Sequence, residues 1–294
     1  MKTVVVSLLI ILSLSFVAAF DEVQFTEEQR AWLEEHDNTL IVGIEEDYPP
    51  FVSASSQQVR GLSIDYLRLI AGELNIRIKY SEPSSLLNLF NEVKESKIDM
   101  ITSLTFTPER ADFLSFTKHY VEVPAGVFSS RKQAINLKEA NQKELRVAVG
   151  EGYGVQSFLE NTYPQLNLVL VKNDLEALRK IQSGEADLAV LDLGSASYIV
   201  EQNNLTKIYF IGKSGFDYKL SFAFSKESEV MIGAFNIVMD ELSLETKKEV
   251  EEKWFTLKTL PFYLSQTFFF IVVSFVFAMV FLVYIYQLWK KNNR

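Results

Sequence analysis

The chain contains no cysteine. Disulfides, thiolate nucleophiles and cysteine-ligated metals are excluded, and an oxidising compartment is compatible with the sequence. Histidine is nearly as scarce: His36 and His119 lie far apart in sequence, which leaves no pattern for a zinc site. Positive charge is in deficit. The 29 Lys and Arg against 38 Asp and Glu give a formal net charge of −9. With no basic, aromatic-laced patch, a nucleic-acid partner is not indicated.

Charge is missing altogether from Phe262 to Trp289, "FYLSQTFFFIVVSFVFAMVFLVYIYQLW". That run exceeds the roughly 20 apolar residues needed to cross a bilayer. Tyr263 stands near one end, and Tyr284, Tyr286 and Trp289 near the other, where amphipathic aromatics favour the headgroup level. Lys290, Lys291 and Arg294 follow, so residues 290–294 are expected in the cytoplasm. At the other terminus Lys2, the apolar Val4–Phe16 stretch and Val17-Ala18-Ala19 make a secretory signal pattern over residues 1–19. An uncleaved anchor is the alternative there. The expected layout is an extracytoplasmic domain over 20–260, a transmembrane helix over 262–289 and a short cytoplasmic tail. The absence of cysteine leaves that helix as the anchor to the inner membrane, with the domain in the periplasm.

Within the exported part, apolar strands alternate with amphipathic helices. "FTEEQRAWLEEH" carries a capping box in Thr26 and Gln29 and predicts a helix. "TLIVGI" predicts a buried strand, "EEDYPPF" a loop broken by Pro49 and Pro50, and "GLSIDYLRLIAGELN" a helix burying Ile64, Leu67, Ile70 and Ala71. "IRIKY", "SSLLNLFNEVKES" and "IDMITSL" continue the alternation, which predicts a mostly parallel sheet clad by helices. After a further strand over Val121–Ser129 the pattern restarts with "LRVAVG", "GVQSFLENTY", "LNLVLV", "DLEALRKIQSG", "ADLAVLD" and "GSASYIVEQN". The segments "LLNLFNEVKESKIDMIT" and "LEALRKIQSGEADLAVLD" share one order of helix, polar turn and apolar strand, each ending in polar residues. Ligands in open α/β sheets bind beyond such strand ends, so two lobes facing across a cleft are expected. The length from "YKLSFAFS" onward suits a return to the first lobe, and two crossings make a hinge.

One span concentrates chemistry. "IDMITSLTFTPERADFLSFTKHYV" gathers Ser103, Thr105, Thr107 and Arg110 directly after a strand. Hydroxyls with a guanidinium suit a small carboxylate, which arginine can grip through two parallel bonds. Thr107 and Pro108 also read as the cap and first residue of a short helix.

The stretches "FTEEQRAWLEEH", "DYPPF", "GLSIDYLRLI", "KIDMITSLTFTPERADFLSFTKHYV", "SGEADLAVLDLGSASYIV" and "LSLETKKEVEEKWF" resemble, in order, the family 3 solute-binding proteins. They are most similar to the Venus-flytrap sensor domains that precede a transmembrane helix in bacterial sensor kinases and diguanylate cyclases. The resemblance implies a two-lobed α/β type II periplasmic binding fold, with lobe 1 at about 38–128 and 220–258 and lobe 2 at about 130–218. It implies capture of an amino acid or small carboxylate, with Arg110 on the α-carboxylate and Ser103 and Thr105 at the strand-end contacts. Gly154 and Val155 would close helix amides over the carboxylate, Asp192 would pair with the ammonium, and Tyr48 would form an aromatic wall. Leu86 stands where family members often carry an aromatic, and Gly154 where they often carry a hydroxyl. Asp192 also reads as a plain helix cap, and Tyr48 as a loop aromatic packed on its prolines. The resemblance implies no catalytic group, cofactor or metal, and a permease or signalling partner in the membrane. Two other functions stay open: a dehydratase of the same fold, for which Glu45, Glu46 and Glu151 are the nearby acids, and a sensor input module whose output lies elsewhere.

Overall fold

The computed structural model describes residues 24–255, apart from 56–57 and 133–134. The signal pattern at 1–19 and the apolar run at 262–289 lie outside the described residues. Among the described residues, no helix is long and apolar enough to cross a membrane.

Helix α1 (Glu27–Glu35) starts where the capping box places it. Thr26 Oγ1 accepts from the Gln29 N–H at 3.2 Å, and Gln29 Oε1 accepts from the Thr26 N–H at 2.9 Å. β1 (Thr39–Gly43) follows, then an antiparallel meander of β2 (Asp47–Tyr48), β3 (Val52–Ser55) and β4 (Gln58–Arg60). The expectation of a plain loop at "EEDYPPF" needs correction here. Asp47 and Tyr48 pair with Ser53 and Val52, and the two prolines sit in the turn, where no ladder donor is needed. α2 (Leu62–Glu73) buries Ile64, Leu67, Ile70 and Ala71 as its periodicity predicts. β5 (Arg77–Tyr80), α3 (Leu86–Lys94) and β6 (Met100–Thr105) continue the alternation. The one-turn α4 (Pro108–Ala111) is capped by Thr107, whose hydroxyl accepts from the Arg110 N–H at 3.3 Å. β7 (Leu114–Phe116) and β8 (Val121–Ser129) complete this half.

The second half holds α5 (Leu137–Gln142), β9 (Arg146–Gly150), α6 (Gly154–Thr162), β10 (Asn167–Val171), α7 (Asp174–Ser183), β11 (Leu188–Asp192) and α8 (Leu193–Gln202). The long β12 (Tyr209–Ser225) then leads to α9 (Ile232–Glu241) and α10 (Leu244–Phe255). α9 packs on α2, so the chain does return to the first lobe.

The strands form one sheet in the order β10-β9-β11-β8-β12-β6-β1-β5, with β7 also on β12. Pairing is parallel within each lobe: β1 with β5 and β6, β9 with β10 and β11. It is not parallel throughout, as the alternation alone predicts. β8 and β12 run antiparallel to each other and to β11 and β6, because they carry the chain across between lobes. The expected return at about residue 220 falls inside β12 rather than at its start. Each lobe buries its own core: Leu40, Val42, Leu67, Leu89 and Phe235 in the first, Ala148, Leu178, Ile181, Leu191 and Ile199 in the second.

Candidate ligand-binding cleft

The carboxyl ends of the parallel strands meet at one cleft, as open α/β sheets require of a binding site. Glu45 follows β1, Thr105 ends β6, Gly152 and Tyr153 follow β9, Asn173 and Asp174 follow β10, and Asp192 ends β11. A cavity of about 20 Å³ lies between Glu45, Tyr48, Ser103, Thr105 and Arg110 of the first lobe and Tyr153 and Gly154 of the second. Leu86, Leu104 and Tyr218 complete its wall. A volume near 20 Å³ holds about one water, so the protein's own side chains fill most of the cleft.

Arg110 is 6% exposed. Its Nη1 donates to the Thr105 carbonyl at 2.6 Å, and its Nη2 donates across the cleft to the Gly152 carbonyl at 2.8 Å. The Tyr153 hydroxyl donates to Glu45 Oε1 at 3.2 Å, a second link between lobes. Asn173 Nδ2 donates to Asp47 Oδ2 at 2.7 Å, and Lys172 pairs with Glu46 at 2.5 Å. The last pair is substantially exposed and contributes little.

Burial dominates the electrostatics. It raises the Glu45 carboxyl to about 7 against the bond from Tyr153 and the charge of Arg110, while Asp174 adds to the rise. Burial lowers the Arg110 guanidinium to about 10, opposed chiefly by Glu45. Asp174 is raised to about 7 by burial, and Asp192 well above the usual carboxylate range by burial and then by Asp174. The phenols of Tyr48, Tyr153 and Tyr218 are all raised by burial, with neighbouring acids adding to it.

Five of the seven residues expected to bind ligand line the cavity: Tyr48, Ser103, Thr105, Arg110 and Gly154. Ser103 adopts φ 61°, and its hydroxyl donates to Ser63 Oγ at 2.7 Å, which Tyr120 also bonds at 2.7 Å. That hydroxyl is therefore engaged with α2. Val155 is fully buried behind Gly154 and does not line the cavity. Asp192 does not line it either. Its Oδ1 accepts from the Ser195 N–H at 2.6 Å as the cap of α8, while Oδ2 is buried without a hydrogen bond. Tyr153 and Tyr218 line the cavity and were not foreseen. Each is an isolated aromatic in a turn or a long strand, and only the meeting of distant segments gives it a role. Among the described residues no group of acids and histidines is placed to hold a metal ion.

A family model of the bacterial extracellular solute-binding proteins, family 3, matches residues 40–257. The sensor protein EvgS of Escherichia coli (strain K12) is 24% identical over 259 residues, covering 85% of this chain. The chain spans only 21% of that protein's length. The L-arginine-binding protein of Pseudomonas aeruginosa is 26% identical over 231 residues, which cover 75% of this chain and 89% of that protein. The periplasmic VFT2 domain of Bordetella pertussis BvgS superposes with a TM-score of 0.70 at 20% identity, covering 79% of this chain and 99% of that one. At that identity the likeness is one of fold.

Proposed function

The chain belongs to the bacterial extracellular solute-binding proteins, family 3, and from that membership we propose a membrane-anchored extracytoplasmic binding module that closes two lobes on a small amino acid or carboxylate. The observation that carries this reading is Arg110. It is a guanidinium buried in the cleft wall, with one prong on its own strand end and the other on a carbonyl of the facing lobe. A ligand carboxylate would take the prong now on Gly152, exchanging a neutral acceptor for a charged one and gaining a stronger, charge-assisted bond. Asp192 would serve the ammonium, since one of its oxygens is spoken for by α8 and the other is free. Only the closed form brings both ends together, which supplies the differential affinity that closure needs. The relatives named above include a transport-type binding protein and sensor proteins, so the output is either delivery to a permease or a signal to a membrane partner. The apolar run at 262–289 would hold the domain at the membrane, with residues 290–294 in the cytoplasm.

Calorimetry on the full chain in detergent tests the clamp. A lost hydrogen bond to a charged group costs about 1.5–3 kcal/mol, and an unpaired buried charge adds to that. At about 1.4 kcal/mol per tenfold, Arg110→Ala should weaken binding by roughly two orders of magnitude. Arg110→Lys should rescue little, because the two-pronged geometry is lost. Asp192→Asn should weaken amine-bearing ligands and spare plain carboxylates. Parent-like affinity in a cooperatively melting Arg110→Ala protein would remove Arg110 from the site.

A second reading, a cleft dehydratase, has one observation on its side. Glu45 lines the cavity with its carboxyl raised to about 7, which suits a general acid. Assay of product formation from prephenate-like substrates separates this from binding alone.

A further inference from the structure

We infer that the occupant of this cleft is a cationic amino acid, one whose side chain bears a second amine or a guanidine, and that Asp174 together with Glu45 seats that second cation. This rests on the binding reading above and deepens it.

The cleft's ionic groups are unbalanced. Glu45, Asp174 and Asp192 are buried at 7%, 2% and 1% exposure, whereas Arg110 is the one buried cation among the described residues. Nor does Arg110 contact any of the three: its prongs rest on two carbonyls. A zwitterionic ligand would occupy Arg110 with its carboxylate and one acid with its ammonium, leaving two buried acids unanswered. Isolated buried carboxylates are costly unless protonated or paired. A second positive charge on the ligand answers one more, and a single proton kept on the remaining acid brings the cleft to neutrality.

Asp174 is the residue that makes this count unusual. Helix α7 needs nothing from its side chain, because Asn173 is the cap and accepts from the Glu176 N–H at 2.9 Å. Both Asp174 oxygens are buried without a hydrogen bond. Ser195 lies near enough to ease its acidity but not in hydrogen-bond geometry, and Tyr48 stands likewise to Asp192. The field of Asp174 reaches Glu45, Tyr48, Tyr153 and Tyr218, four residues of the cavity wall. Asn173, beside it, bonds across the cleft to Asp47, so Asp174 stands where the two lobes meet.

Two further groups on the wall itself lack partners: the Tyr218 hydroxyl and Thr105 Oγ1 are both buried and unbonded. Each can accept from an ammonium or guanidinium N–H. Tyr48, Tyr153 and Tyr218 add ring faces, which attract organic cations by about 0.5–2 kcal/mol each when suitably placed. A metal ion is the other occupant that acids suggest, but no group of acids and histidines here is placed to hold one. With about 20 Å³ between the lobes, such a ligand enters only when they part, and it takes over Glu45 from the Tyr153 hydroxyl.

Calorimetry and thermal shift on the full chain in detergent test this with L-lysine, L-arginine, L-glutamine, L-glutamate and 1,5-diaminopentane, which is lysine without its carboxylate. L-lysine or L-arginine should bind at least tenfold tighter than L-glutamine, and L-glutamate should not bind. Asp174→Asn should lose at least tenfold more affinity for the cationic amino acid than for L-glutamine. The same variant should melt no lower than the parent, since it removes a buried charge with no partner. Tight L-glutamine or L-glutamate binding that depends on Arg110, with no preference for L-lysine or L-arginine, overturns the inference and leaves the binding reading standing. Equal losses for lysine and glutamine in Asp174→Asn overturn it as well. Binding of 1,5-diaminopentane as tight as that of lysine supports the cation seat and removes the Arg110 clamp. No binding by any of the five overturns both.

Discussion

Glu45 shows how one residue can carry two opposed roles. It ends an apolar strand and sits 7% exposed, so folding strips water from its carboxyl. Burial raises it from 4.5 to about 7. The folded state therefore keeps a proton that the unfolded chain releases between those values. Stability from this group is fully present below 4.5 and declines as pH rises towards 7, because the native state binds more protons in that window. At 1.36 kcal/mol per unit the loss is roughly 3 kcal/mol. Glu45→Gln, which stays neutral, should gain on the parent by up to that amount between pH 4.5 and 8 in urea unfolding. A constant difference across that range would mean that Glu45 is ionised in the fold.

At the scale of the element, α7 joins local chemistry to the site. Asn173 caps the helix through the Glu176 N–H and also reaches Asp47 in the other lobe at 2.7 Å. The two jobs can be separated. Asn173→Ala loses both and should cost about 1 kcal/mol for the cap, with the interlobe bond on top. Asn173→Asp keeps a side chain that caps equally well but sets a carboxylate against Asp47, which is already raised by burial and by Glu46. Denaturant melts of both variants should show Ala lower than parent and Asp recovering the cap but not the link. An Asp variant as stable as the parent would mean that the Asp47 contact contributes nothing.

Across the whole molecule, the lobes are joined by β8 and β12 and held shut by few groups. The paired strands shift register between Phe210 and Gly212 and between Lys213 and Asp217, where the long ladder bends. The cleft itself is closed by Arg110 on Gly152, Tyr153 on Glu45 and Asn173 on Asp47. Tyr153 fills the space as well as bonding, since it is 7% exposed and its ring stands 6.1 Å from that of Tyr48. Tyr153→Ala removes a hydrogen bond of about 0.5–1.5 kcal/mol and the buried ring area besides. Opening should become at least tenfold more frequent, read as faster hydrogen exchange of the amides at 152–156 while the lobe cores keep their protection. Unchanged exchange would mean that the cleft is held by Arg110 and Asn173 alone.

Much of this was legible in sequence because it depends on neighbours along the chain. Capping chemistry placed α1 and α4, periodicity placed the buried face of α2, and strand ends marked Thr105, Arg110 and Asp192 as polar groups at carboxyl termini. What was not legible depends on where distant segments meet. The antiparallel middle of the sheet follows from the chain crossing twice between lobes. Tyr218 becomes cavity wall only because β12 lies beside β6, and Tyr153 only because its turn faces Glu45 across 108 positions of sequence. The engagement of the Ser103 hydroxyl with Ser63 and the burial of Asp174 without a partner were likewise decided by packing. Local hydrogen bonds and hydrophobic period are short-range and survive in the one-dimensional text. The charge balance of a cleft is a sum over groups that only the folded chain assembles.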